Sequence, residues 1–64
     1  MNNREFREAR RKLGLTQSEL GSIMGMGQAA ICDLEREGSA RRPTKIQAAF
    51  MCYLLKHPPL KARP

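Results

Sequence analysis

Apolar residues recur along the chain at helical spacing, and no stretch alternates as a strand would. Phe6, Ala9 and Leu13 fall on one face, together with Arg10. Asn2 followed by Glu5 fits a capping box ahead of this stretch, and Gly14 supplies a left-handed stop, so the spacing predicts a first helix over about 3–13. Thr16-Gln17-Ser18-Glu19 is a second capping box, with Leu15 placed to staple onto Leu20, and predicts a helix over 17–24. Gly25 then permits the positive φ of a tight turn, Met26 reads as a buried turn residue, and Gly27 caps the next helix. That third helix covers about 28–36: Ile31 and Leu34 point inward, leaving Gln28, Ala29, Cys32, Asp33 and Arg36 outside, and Gly38 closes it. A third capping box, Thr44-Lys45-Ile46-Gln47, opens a fourth helix over about 45–57, which Pro58-Pro59 stops.

The pattern therefore predicts an all-α domain of four helices over residues 1–57, followed by a basic tail over 58–64. A chain of 64 residues buries a thin core, and small domains often need a disulfide, a metal or a partner subunit. Cys32 and Cys52 form no close pair and His57 is the one histidine, which argues against structural zinc. A partner subunit is the remaining expectation. The fourth helix is apolar on nearly every side, and such a helix must be buried on every side. Ile46, Ala49, Phe50 and Tyr53 are expected to pack on the core, leaving Met51, Cys52, Leu55 and Leu60 for a two-fold copy of the chain. The apolar run over 48–55 is too short to span a membrane, and the charged start has no secretory signal, so the expected compartment is the cytoplasm.

Gly21 is out of place in an ordinary helical hairpin, because a mid-helix glycine costs roughly 1 kcal/mol. It fits a helix-turn-helix, where two helices crossing on a short turn need a small residue at their closest approach. Charge points the same way. Residues 1–38 carry six basic and six acidic side chains, whereas after Gly38 come Arg41, Arg42, Lys45, Lys56, Lys61 and Arg63 with no acid, making the net charge +6. That asymmetry suits a polyanionic partner.

The segment LGLTQSELGSIMGMGQAAICDLERE resembles the Cro and repressor helix-turn-helix family of phages, over about residues 4–55. The shared features are the Leu-Gly-Leu-Thr-Gln opening, the Glu-Leu of the second helix, the turn glycine and the Ile-x-x-Leu-Glu ending the recognition helix. The resemblance implies that Gln17 contacts the phosphate backbone, that Gln28 reads a base, and that Arg10 and Glu35 pair between the first and third helices. Two departures bear on specificity: Gly27 stands where Ser or Thr usually caps the recognition helix, and Ala29 replaces a longer side chain. The ending RRPTKIQAAF…LLKHPP is similar to compact regulators of phages and mobile elements, including those of anti-CRISPR operons. This likeness implies a homodimeric repressor acting on its own operon from an inverted repeat.

Within that frame Gln28 suits a bidentate contact with adenine, Ala29 a thymine methyl, and Asp33 the N4 amine of cytosine. Cys32 reads as a small contact residue, having no resolving cysteine near it in sequence. Arg36, Ser39, Arg41, Arg42 and Lys45 are expected at phosphates, which take half to two-thirds of such an interface. His57 reads as a helix-end residue favoured by the dipole. No nucleophile and base, paired carboxylates or metal cluster stands at recognisable spacing, so the chain reads as a non-enzyme without cofactor or small-molecule ligand. The rival class is a helical protein-interaction module, such as an antitoxin or anti-activator, working through the fourth helix.

Overall fold

Side-chain caps decide where three of the helices begin. The computed structural model describes residues 1–59 and contains α1 (Asn3–Lys12), α2 (Gln17–Met24), α3 (Gln28–Glu35) and α4 (Lys45–Lys56). Asn2 Oδ1 accepts from the Glu5 amide at 2.8 Å while Glu5 Oε1 accepts from the Asn2 amide at 2.8 Å, a reciprocal box repeated by Thr16 with Glu19 and by Thr44 with Gln47. Each box satisfies amides that the first helical turn leaves without a partner. Gly27 has no side chain to do this, and α3 starts without such a bond. α1, α3 and α4 each stop one residue before the predicted end, with Leu13, Arg36 and His57 as their capping residues. At Arg36 the backbone turns to ψ 120°, and at His57 the following Pro58 disfavours the helical region.

Phe6, Ala9 and Leu13 of α1 and its C-cap meet Leu15, Leu20, Ile31, Leu34, Met51 and Leu54 in one buried cluster, with Met24, Met26 and Phe50 packed at its edge. The α2–α3 turn is compact because of two glycines. Gly25 takes φ 71°, a left-handed conformation that suits a residue without Cβ, and its N–H donates to the Gly21 carbonyl. A Cβ at Gly21 would collide with the Met26 carbonyl oxygen, since the Met26 amide donates to the Gly21 carbonyl at 2.7 Å and brings the two backbones into contact.

The register of α4 differs from the expectation. Ile46 and Tyr53 are 82% and 58% exposed and Ala49 is exposed too, whereas Met51, assigned above to a subunit interface, is 0% exposed in the core. Of the residues assigned to the core, Phe50 alone is half-buried against it. The inward stripe is Gln47, Met51 and Leu54, at i, i+4 and i+7. Gln47 heads it as both a capping-box residue and a donor from Nε2 to Met26 Sδ at 3.6 Å. Counting apolar residues alone missed the phase because the stripe opens on a polar side chain. Cys52 and Leu55 are exposed, as an interface role needs, and Leu60 and the rest of the tail over 60–64 lie outside the described residues. Among the described residues no helix is long and apolar enough to cross a membrane.

Gly21→Ala is expected to destabilise the fold by about 1–3 kcal/mol through overpacking against backbone that cannot swing aside. This exceeds the roughly 1 kcal/mol of helix propensity that alanine adds. Thermal unfolding checks it, and a melting temperature equal to or above that of the wild type would show that the turn has room.

Candidate nucleic-acid interface

Glu35 closes α3 and is 3% exposed, so its carboxylate must be paired inside the fold. Arg10 Nε donates to Oε2 at 2.6 Å and Nη2 donates to Oε1 at 3.0 Å, a bidentate fork. The remaining Arg10 nitrogen, Nη1, donates to the Leu15 carbonyl at 2.7 Å. Gln17 Nε2 adds a further donor to Glu35 Oε1 at 3.2 Å. One carboxylate thus joins the last turn of α1, the first turn of α2 and the end of α3. The Gln17 side chain, half-buried, is drawn toward this cluster, which leaves the backbone N–H at the start of α2 as its group best suited to a phosphate.

With Ile31, Leu34 and Glu35 turned inward, α3 presents Gln28, Ala29 and Cys32 to solvent along one side, followed by exposed Arg36. Gln28 Oε1 accepts from the Ser18 hydroxyl at 3.3 Å. Half-buried Asp33 pairs with Arg36, Oδ1 to Nη2 at 3.2 Å. A base contact by Asp33 or a phosphate contact by Arg36 therefore has to compete with that pair. Cys32 carries a free, exposed thiol.

Sequence reasoning missed Asn3. Its side chain is buried at 8% exposure, and Nδ2 donates to the carbonyls of Asp33 at 3.3 Å, Arg36 at 3.0 Å and Arg41 at 2.8 Å. Two N–H hydrogens serving three acceptors imply a shared bond, and the result is a clip between α1, the end of α3 and the basic segment behind it. The signal present in the sequence was position: Asn3 precedes Arg10 by two helical turns and shares its face. Beyond the clip, the Arg41 amide donates to Ser39 Oγ at 3.2 Å, and Arg41, Arg42 and Lys45 are exposed.

A short α2, a glycine turn, an α3 whose outer face is open to solvent, and a basic segment tethered to the end of α3 together make a helix-turn-helix. A model of the helix-turn-helix family matches residues 6–49. The chain belongs to the Cro/C1-type helix-turn-helix family. It is a DNA-binding transcription regulator. No curated protein and no solved structure is significantly similar to it.

In this helix-turn-helix protein the matched span covers α2, α3 and the basic segment but stops within α4. The residues that organise the motif and those that face outward are separate sets. Arg10, Gln17, Glu35 and Asn3 tie the recognition helix and its trailing segment to the rest of the fold; Gln28, Ala29, Cys32, Arg41, Arg42 and Lys45 are left exposed. Among the described residues no group of three or more His, Cys, Asp or Glu is placed to hold a metal.

Glu35→Ala should cost about 3–5 kcal/mol, because it strands a largely buried guanidinium, whereas exposed pairs are worth about 0–1 kcal/mol. Urea unfolding measures this directly. A variant as stable as wild type would mean that the Arg10 charge has ready access to water.

Proposed function

We propose that the chain is a homodimeric repressor of a phage or mobile-element operon, which inserts α3 into the major groove at each half of an inverted repeat. The observation that carries this reading is the open side of α3, Gln28, Ala29 and Cys32, leading into a basic segment tied to the end of that helix by Asn3. Gln28 reads adenine, Ala29 a thymine methyl, Cys32 makes a small contact, and Asp33 accepts from cytosine once Arg36 exchanges it for phosphate. Gln17, through its N–H, and Ser39, Arg41, Arg42 and Lys45 hold the backbone.

The subunit contact in this reading lies on α4, on the face that the fold leaves uncovered: Ile46, Ala49 and Tyr53, with Cys52 and Leu55 to one side. A small domain with a thin core gains from covering such a face, and a two-fold copy is self-complementary. Two recognition helices about 34 Å apart would then meet successive turns of one side of the duplex. The likeness to compact regulators extends the reading to autorepression, including control of an anti-CRISPR operon. An antitoxin or anti-activator would use the same apolar face, which runs on into a groove between α2 and α4 lined by Ile23, Met24, Met26 and Phe50. It would show no sequence-dependent duplex binding.

Binding to a palindromic duplex selected by the protein, and to its half-site, tests both parts across a salt series. The wild type should prefer the palindrome and lose affinity steeply with salt. Arg42→Ala should flatten the slope of log affinity on log salt by about 0.9 per subunit. Ile46→Glu with Tyr53→Glu should bring the palindrome down to the half-site affinity expected of independent subunits. Equal binding of all duplexes by the wild type would contradict specific repression, and an unchanged palindrome preference in the double variant would move the dimer contact elsewhere.

A further inference from the structure

Asn3 is the first residue of α1, and its buried Nδ2 donates to three carbonyls: Asp33 and Arg36 at the end of α3, and Arg41 in the basic segment. A carbonyl oxygen can only accept, so these partners leave no choice about which end of the amide faces them. The Asp33 carbonyl belongs to the last turn of α3, where a helix leaves acceptors without a partner, and Arg36 is the capping residue.

Residues 37–43 have no regular structure, and Arg41 and Arg42 among them are exposed. Local bonds fold this segment on itself: the Ser39 amide donates to the Arg36 carbonyl at 3.2 Å, and the Arg41 amide donates to Ser39 Oγ at 3.2 Å. Among the described residues, the bond from Asn3 to the Arg41 carbonyl is the one hydrogen bond between α1 and the segment. The same nitrogen meets the Arg36 carbonyl at 3.0 Å and the Arg41 carbonyl at 2.8 Å. The two oxygens can therefore stand no farther apart than two hydrogen bonds laid end to end. One amide sets the distance from the end of α3 to the backbone that carries Arg41 and Arg42.

That distance matters most on a cognate site. Base contacts fix α3 in the groove, and the segment then meets only the phosphates that lie at its own distance from α3. A segment already held there loses its freedom on folding rather than on binding. On a duplex without the cognate bases the protein can shift along the backbone until the segment finds phosphates.

We propose that Asn3 is a positioning residue for DNA recognition: it fixes the spacing between the base-reading helix and the phosphate-holding segment, so that a single docked position serves both. This rests on the reading of α3 as the base-reading helix and of Arg41 and Arg42 as phosphate contacts.

The test titrates wild type, Asn3→Ala and a core control, Leu54→Val, with a selected palindrome and a scrambled duplex across a salt series, at a temperature where circular dichroism shows each protein folded. Asn3→Ala should lower the preference for the palindrome about 2–10-fold, the range expected for one hydrogen bond, with the salt slope unchanged. Exchange of the Ser39 and Arg41 amides should quicken. Leu54→Val should lower the melting temperature and keep the wild-type preference. Asn3→Ser, which retains one donor, carries the same comparison if the alanine variant does not fold. An unchanged preference, or a loss matched by Leu54→Val, would make Asn3 a stabilising residue only and overturn the proposal. Equal weakening of both duplexes with a flatter salt slope would overturn it too. Arg41→Ala with Arg42→Ala separates the proposal from the reading beneath it: a flattened salt slope upholds the phosphate contacts whatever Asn3 does, and a wild-type slope removes them and the positioning role together.

Discussion

A carboxylate buried at the end of the recognition helix constrains the rest of this molecule. Glu35 is out of water, and an unpaired charge there would cost several kcal/mol. Arg10 and Gln17 supply the donors that prevent this, and each comes from a different helix. Satisfying one group therefore fixes three helix ends at once. Asn3 extends the same logic to uncharged groups: the carbonyls at the end of α3 and at Arg41 find their donor on α1. The far end of α3 is set by the glycine turn, where Gly21 and Met26 touch backbone to backbone. Held at both ends, the recognition helix can leave Gln28, Ala29 and Cys32 open to solvent without needing that face for stability.

Such a division matters in a chain with so small an interior. The core takes short apolar stretches from every helix and leaves Ile46 and Tyr53 of α4 in the open. The exposed side chains of Gln28, Ala29, Cys32, Arg41, Arg42 and Lys45 contribute nothing to that core. The proposed dimer face is likewise separate, on the helix most remote in sequence from the turn. The core, the open side of α3 and the uncovered side of α4 are thus separate surfaces, with the Glu35 cluster as the common frame.

Local features were legible in the sequence because they involve residues a turn apart. Asn2 with Glu5, Thr16 with Glu19 and Thr44 with Gln47 announce helix starts, and Gly21 with Gly25 announces the turn. The pairing of Arg10 with Glu35 could be read from inward-facing positions and from family likeness. The phase of α4 could not, since apolar residues on all sides give a helix no preferred face, and the stripe that packs is marked by a glutamine. Asn3 was hidden for another reason: its partners are backbone carbonyls, which have no sequence signature. The bond from Ser18 to Gln28 and the turning of the Gln17 side chain toward Glu35 depend on how α2 and α3 cross, a geometry that spacing alone leaves open.

The central claim is that α3 and the segment behind it form the DNA-contacting surface. Following backbone amide resonances of the labelled protein during titration with a selected palindromic duplex examines that surface residue by residue. The account predicts the largest shifts at Gln28, Ala29 and Cys32, and at Arg41, Arg42 and Lys45, reversed by added salt as phosphate contacts are screened. Shifts confined to the neighbourhood of Ile46, Phe50 and Tyr53, with α3 unmoved at saturation, would contradict it.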